Sequence, residues 1–309
     1  MTWVGWRLQR TETLIAVGIL ALLAALLVPT GLNMSHAYSS DHLGACLDFQ
    51  RSPDCAGQVG AFRDRFQSLL DLANWFTLVP GVLGVLLAAP FVFDLEHGTY
   101  RLVWTQGITR GRWLAGKLGV ALVAVVVAAG ALTLLFTWWR TPESRLDGRL
   151  SNGVFDSTGV VVFGYTLFAF ALALAIGAIW RRAASSVTVA FVAYFAARVF
   201  VEYKIRNSLL TPLHATWKGI KQPPFINNAI VISQRVFVHG HEVARDGGFF
   251  GGSAKVAVPS SPATQATVHF TYLPASDFWP LQLAEWGLFT GAAVLLFGFA
   301  VWWTRKRIA

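Results

Sequence analysis

Six apolar runs, each about twenty residues long, constrain the fold of this chain more than any other feature of its sequence. They lie at about Thr13–Leu32, Leu72–Phe93, Leu118–Trp139, Val160–Trp180, Ala183–Val201 and Trp279–Trp303. An α-helix of about 20 apolar residues crosses the roughly 30 Å hydrocarbon core of a bilayer. Because lipid offers the backbone no hydrogen-bond partners, such runs are expected to be helical. The sequence therefore predicts an all-α membrane protein with six transmembrane helices.

The composition supports a membrane setting and argues against nucleic acid as a partner. Of the 309 residues, 55% are hydrophobic and 13% are charged, whereas soluble domains carry about 25% charged residues. The formal net charge of +9 could indicate nucleic-acid binding. However, the basic residues cluster at the ends of the apolar runs, where they would meet lipid headgroups. Membrane lipid is thus the expected partner of these charges.

The connections between the runs predict the orientation. Short basic connections comprise Met1–Glu12, Asp94–Lys117, Arg181–Arg182 and Arg305–Ala309. Longer connections of mixed composition comprise Asn33–Asp71, Arg140–Gly159 and Glu202–Phe278. Lys and Arg in short connections mark the cytoplasmic side. Both termini and the Asp94–Lys117 loop are therefore predicted to be cytoplasmic.

Three units follow from this layout. Residues 1–203 would hold an N-terminal interfacial helix, suggested by Trp3 and Trp6 alternating with Arg7 and Arg10, and then the first five spans. Residues 204–278 would form a small external domain. Within it, Ala229–His239 and Ala266–Leu273 are rich in alternating or β-branched residues and are predicted strands. Residues 279–309 would contain the sixth span and a cytoplasmic tail.

The Asp94–Lys117 loop carries the most specific motif of the chain. A polar and basic stretch with interspersed apolar residues lies here between two spans. The pattern consists of Glu96, Gly98, Thr99, Leu102, Thr105, Gln106, Arg110, Trp113 and Lys117. It resembles the first cytoplasmic loop of ABC-2-type transporter permeases, and the Trp-Thr-Gln and Arg-x-Arg-Trp details, which include Arg112, resemble an actinobacterial branch. A second block, Tyr272–Glu285, resembles the entry to the last span of the same permeases, although Asp277 stands where a basic residue is expected.

This resemblance implies a function. In the family the loop holds a coupling helix that docks on a separate ABC ATPase subunit. It implies a permease subunit of an ATP-driven exporter in a bacterial cell membrane, with two permeases, either identical or related, and two ATPase copies that bind ATP and Mg²⁺. The alternative is a sensing or immunity complex that binds an external ligand without transporting it.

The chain itself is not expected to be an enzyme. Its segment Gly111–Leu118 nearly matches a phosphate-binding loop, but Leu118 replaces the Ser or Thr that ligates Mg²⁺. A clustered acid, base and nucleophile is not evident within the apolar runs. We therefore predict no catalytic residues, no metal site and no cofactor bound by this chain.

Polar residues near the ends of the last two spans form a second candidate site. Arg198 and Glu202 are four residues apart at the outer end of the fifth span, and Gln282 and Glu285 lie in the sixth. Charges inside membranes are costly and are usually paired or functional. Arg198 and Glu285 are expected at similar depth, so they either form an ion pair or reach external water separately.

The two cysteines generate the first testable prediction. Cys46 and Cys55 both lie in the first external connection, where a pair favours a disulfide over two free thiols. Closing a loop of about ten residues would stabilise the fold by about 2–3 kcal/mol. Mass spectrometry without reductant should find the two residues linked. Complete alkylation of both before reduction would contradict the prediction.

Overall fold

The computed structural model describes residues 2–44, 53–99, 109–218, 228–238, 241–247 and 266–307. Within them the fold is mainly helical. The helices are α1 (Thr2–Ser40), α2 (Pro53–Trp75), α3 (Val79–His97), α4 (Arg110–Trp139), α5 (Thr141–Leu146), α6 (Asn152–Ser157), α7 (Val160–Trp180), α8 (Ala183–Phe200) and α9 (Phe278–Arg307). Short helical turns join some of them, at Phe76–Leu78, Val201–Ile205, Arg206–Ser208 and Ala275–Asp277.

Six helical segments of the described residues are long and apolar enough to cross a membrane, which confirms the predicted number. They are α1, the combined α2 and α3, α4, α7, α8 with its following turns, and α9. The α7 bounds, Val160–Trp180, match the fourth apolar run at both ends. The segment Gly57–His97 is 41 residues long, far beyond the 20 or so that a bilayer requires.

The first two helices are longer than the apolar runs indicated. Helix α1 runs without interruption from Thr2 to Ser40, so the segment expected to lie at the membrane interface continues directly into the first span, and its place at the interface stays a prediction. At 1.5 Å per residue α1 is about 58 Å long. The connection Asn33–Asp71 is also largely helical, since α1 continues through its beginning and α2 starts at Pro53.

Helix α7 forms the centre of the bundle. It packs against α3, α4, α8 and α9, and residues such as Ala169 and Leu174 on it are fully buried. Small residues allow this packing: a Cβ atom on Gly84 of α3 would lie 2.5 Å from the carbonyl oxygen of Thr166. Close backbone approach through small residues is a common way for membrane helices to associate, because lipid provides little hydrophobic driving force between them.

A small antiparallel sheet follows α8, which confirms the predicted β structure between the fifth and sixth spans. Its strands are β1 (Leu213–Lys218), β2 (Ile230–Val238), β3 (His241–Gly247) and β4 (Ala266–Leu273), in the order β1-β4-β2-β3. The predicted strands correspond to β2 and β4. The strands that the sequence did not predict, β1 and β3, lie at the two edges of the sheet, where polar side chains are tolerated and the alternation of apolar residues is weak.

The contact between α3 and α7 generates a prediction with a matched control. Gly84→Ala should lower the unfolding free energy by about 1–3 kcal/mol, because the added methyl group collides with backbone atoms of α7. Gly130→Ala in α4 places its methyl group where no atom lies within 4 Å, so it should be neutral or slightly stabilising. The thermal unfolding midpoints of the purified variants in detergent test this. Equal midpoints for both would show that α3 and α7 do not approach this closely.

Candidate functional site at the two ends of the bundle

Three of the four short basic connections meet at one end of the bundle, which we call the loop end. The guanidinium Nη2 of Arg181 donates to the carbonyl oxygen of Arg307 at 3.1 Å. The Arg305 side chain lies against Gly111 at the start of α4. The last turn of α3 and the first residue of α8 are also in contact at this end. The structure thus brings together three connections that the sequence separates by up to 200 residues.

Glu96 links the Asp94–Lys117 loop to helix α8. Its carboxylate Oε2 accepts a hydrogen bond of 2.8 Å from the backbone N–H of Ala183, the first residue of α8. An anion at a helix N-terminus satisfies an unpaired N–H group and interacts favourably with the helix dipole. Glu96 itself lies in the last turn of α3. The helix start that it contacts is nearly ninety residues further along the chain.

Gly98 ends α3 in the way that favours glycine. Its φ of 67° and ψ of 17° lie in the left-handed region, which any residue with a Cβ atom adopts at a cost. The next residue, Thr99, donates its hydroxyl hydrogen to the carbonyl oxygen of Asp94 at 3.4 Å. The chain therefore leaves the helix through a sharp turn, and the direction of the loop depends on Gly98.

Lys117 and Trp113 fasten the other root of the loop. Lys117 is 5% exposed, forms an ion pair with Asp94, and donates to the carbonyl oxygen of Pro90 at 3.0 Å. Trp113 is 8% exposed and stacks on Phe91 with 6.3 Å between ring centroids. Both residues were predicted to take part in coupling to the ATPase, and that role stays a prediction. The structure places them inside the bundle, where they join α4 to α3.

The remaining predicted residues of the loop divide into two groups. Arg112 in the first turn of α4 and Thr99 are exposed, so both are accessible to a partner. Thr105 and Gln106 lie outside the described residues, as does the side chain of Arg110. Their part in docking stays a prediction.

The opposite end of the bundle, which we call the sheet end, contains a buried ionic network. Asp156 of α6 pairs with Arg198 at 3.2 Å and with Arg206. Arg206 also pairs with Glu285 of α9, with Nε–Oε2 and Nη2–Oε1 distances of 2.8 and 3.0 Å. Two guanidinium groups thus face two carboxylates, and their formal charges balance. Burial raises the pKa of Asp156, but Arg206 and Arg198 outweigh this effect and hold the pKa below its usual value.

Uncharged groups complete the network. The Tyr165 hydroxyl of α7 donates to Glu285 Oε1 at 2.5 Å, and the Arg198 guanidinium lies 4.7 Å from the centroid of the Tyr165 ring. Gln282 is fully buried; its Oε1 accepts from the N–H of Val161, while its Nε2 donates to the carbonyl oxygens of Phe155 and Thr158. This amide therefore fastens α9 to the connection between α6 and α7.

Neither alternative for Arg198 and Glu285 describes the structure, since they do not pair with each other and both are buried away from water. Among the described residues each has a different partner, Asp156 for Arg198 and Arg206 for Glu285. Both partners were missed because Asp156 lies in a connection that was expected to be external and Arg206 lies beyond the fifth apolar run. One signal was present: Arg198, Glu202 and Arg206 are spaced by four residues, which places charges repeatedly near one helix face.

Cys55 of α2 is disulfide-bonded. Cys46, the other cysteine of the sequence, lies outside the described residues. The pairing of these two residues stays a prediction for mass spectrometry.

The network generates a prediction about stability. Arg206→Met removes the cation shared by Asp156 and Glu285, and loss of one member of a buried ion pair costs about 3–5 kcal/mol. Adding Glu285→Leu to this variant should cost less than the sum of the two single changes, because the stranded carboxylate is then gone. Arg245→Met, in an exposed pair with Glu242 on β3, is the control and should shift the thermal midpoint far less. Additive effects of Arg206→Met and Glu285→Leu would contradict the arrangement.

Comparison with known proteins identifies the family. Residues 17–206, more than half of the chain, match the family model described as ABC-2 membrane transporter related. No curated protein and no solved structure matches the chain. The matched region covers α2 to α8 and most of α1, and so includes the whole Asp94–Lys117 loop. The chain therefore belongs to the ABC-2 membrane transporter related family and is a multi-pass membrane permease component of an ABC transporter, a class that works with an ABC ATPase.

Proposed function

We propose that this chain is the permease subunit of an ATP-driven exporter, and that Asp94–Lys117 is the loop through which a separate ATPase moves it. The observation that carries the proposal is the hydrogen bond between Glu96 and the N-terminus of α8. In this proposal the loop end faces the cytoplasm, so both chain termini are cytoplasmic. Two permease copies and two ATPase copies form the complete transporter, and the substrate crosses where the permeases meet.

The anchoring of the loop supports this mechanism. Lys117 ties α4 to Asp94 and Pro90 of α3, while Glu96 ties α3 to α8. A partner that displaces the exposed part of the loop would therefore pull on three membrane helices rather than on a flexible connector. Side chains with fixed partners transmit a displacement, because a packed and paired structure shifts between discrete arrangements instead of deforming gradually.

A second tie between the same helices lies at the sheet end. Arg198 of α8 donates to the carbonyl oxygen of Thr77, just before α3, at 3.0 Å, and the Tyr194 hydroxyl donates to the same oxygen at 3.4 Å. Helices α3 and α8 are thus fastened at both ends. We infer that a movement of the loop reaches Arg198 through them and, through Asp156, the whole ionic network.

ATP and Mg²⁺ are assigned to the partner in this proposal. The near match to a phosphate-binding loop, Gly111–Leu118, falls within the first turns of α4. A phosphate-binding loop instead has a turn between a strand and a helix, with backbone N–H groups free to hold phosphate. Within α4 most backbone N–H groups are used by the helix itself. The chain would therefore supply the membrane pathway and the ATPase would supply the chemistry.

Two variants separate docking from transmission. Arg112→Glu reverses an exposed charge and should reduce capture of the ATPase, since arginine suits pairing with carboxylates. Glu96→Ala should leave capture intact but lower substrate-stimulated ATP turnover by about threefold or more, because the tie to α8, worth about 1.5 kcal/mol, is lost. Copurification with the ATPase and turnover with and without substrate measure both effects. Glu242→Gln on the exposed β3 strand is the control and should match the unaltered protein.

Full stimulated turnover in Glu96→Ala would refute the proposed path from loop to α8. Flux of a stimulating ligand in proteoliposomes then separates an exporter from a sensing complex. A sensing complex would bind the ligand and alter ATP turnover without accumulating it across the membrane.

A further inference from the structure

A cavity of about 260 Å³ lies beside the ionic network at the sheet end. It is bounded by the end of α2, by α6, and by the last turn of α8 with the turn that follows. Its lining includes Asn74, Thr77, Phe195, Arg198, Glu202 and Tyr203. None of the network interactions described above fills this cavity, and the proposed function assigns it no task.

Glu202 adds a third carboxylate beside the two arginines of the network, which already pair with Asp156 and Glu285. It is half-buried, yet its carboxylate accepts no hydrogen bond and forms no ion pair with any residue that the structure describes. The neighbouring carboxylates differ, because Asp156 and Glu285 are each paired with arginine. A carboxylate at membrane depth without a partner is costly. A cation bound in the cavity would remove this cost.

Arg198 lines the same cavity and has an unused hydrogen-bond donor. Its Nη1 and Nη2 atoms are engaged by Thr77 and Asp156. Its Nε atom is buried and has no hydrogen-bond partner in the described chain. Because buried donors in native proteins are almost always satisfied, an acceptor atom on a bound molecule, reached by a small movement of the guanidinium group, would complete its hydrogen bonds. A ligand that suits both Glu202 and Arg198 therefore carries a cationic group and a hydrogen-bond acceptor.

The backbone conformation at Glu202 also supports a ligand site in this cavity. Glu202 and Tyr203 belong to a single π-helical turn, Val201–Ile205, inserted between α8 and Arg206. Such turns are rare and are frequently found at functional sites. In this conformation of the turn, Arg206 lies in the ionic network and Glu202 lines the cavity. Phe195, which is 48% exposed, and Tyr203 add aromatic surface for the apolar part of a ligand and for its cation.

A second cavity, of about 410 Å³, shares Asn74 with this one and is lined by Asp64 and Asp71 of α2. These two carboxylates form no ion pair within the described ranges. Two further acids there are already neutralised, since Asp147 pairs with Arg63 and Glu143 with Arg140. The neighbouring cavity is thus acidic, which attracts cations and repels anions.

We propose that this cavity binds an organic amine that carries an aromatic body and a hydroxyl or carbonyl group near the amine. The ammonium pairs with Glu202, the accepting group receives the Arg198 Nε–H, and the ring packs on Phe195. The inference deepens the proposed function by naming a substrate class, and it rests on that function only for the direction in which the amine would move. Binding itself requires no ATPase.

The test uses the full-length permease in lipid nanodiscs without any ATPase. Propranolol is a suitable probe because it combines a naphthyl ring, a hydroxyl group and a secondary amine. The matched compound is naphthyloxyacetic acid, which keeps the aryl ether but carries a carboxylate. Equilibrium dialysis of radiolabelled compound, corrected for empty nanodiscs, gives the amount bound per permease. We expect saturable binding of the amine and none of the acid.

Variants locate the site. Glu202→Gln preserves the shape of the side chain and should weaken amine binding by about tenfold or more, as expected for loss of a charged hydrogen bond. Phe195→Ala should weaken it by removing the aromatic wall. Glu242→Gln, which removes a carboxylate on the exposed β3 strand, is the control and should leave binding unchanged. Unaltered thermal midpoints of the variants show that they are folded.

Failure of the amine-binding proposal and failure of the coupling proposal would give different results. Equal binding of amine and acid, no binding above empty nanodiscs, or full binding by Glu202→Gln would each overturn the amine site while leaving the coupling proposal intact. Failure of the ATPase to associate with the permease would overturn the coupling proposal, and amine binding measured without ATPase would still stand.

Discussion

Arg206 is the residue on which the sheet end of this protein depends. It lies between Asp156 and Glu285 and is 2% exposed, so the cost of burying its charge is offset only if both carboxylates stay in place. Those carboxylates come from α6 and α9, and Arg198 of α8 shares one of them. The network thus defines how three separate parts of the chain meet. Such an arrangement is sensitive to small shifts of any of the helices that contribute to it.

The same helices are also fastened at the loop end, though by different chemistry. There a carboxylate meets the N-terminus of α8, and a buried lysine meets a carboxylate and a carbonyl oxygen. Between the two ends the contacts are close-packed and apolar, as at Gly84 against α7. Polar ties at the ends of a rigid apolar bundle offer a simple way to transmit movement. A displacement of the loop could then reach the sheet end without repacking the middle of the bundle.

Much of the fold follows from elementary properties of the sequence. The lengths of the apolar runs predict six membrane-crossing helices, because the thickness of the hydrocarbon core sets a minimum length. The alternating residues of β2 and β4 are enough to predict a sheet after α8. The polar pattern from Glu96 to Lys117 resembles the ABC-2 family, and the family match over residues 17–206 agrees with it. The pattern does not indicate the burial of individual loop residues: Lys117 and Trp113 have the character of docking residues, yet both are buried against α3.

The sequence by itself determined which segments enter the membrane, since burial in lipid depends on the composition of each segment alone. Only the tertiary structure decided which charges meet. Arg198 and Glu285 were expected either to pair or to reach water separately, but α6 inserts Asp156 between α8 and Arg206, and the pairing partners are separated by 42 to 79 residues. Glu96 likewise finds its partner at a helix start 87 residues away. Pairing across such distances depends on how helices pack, and local sequence patterns carry little information about that.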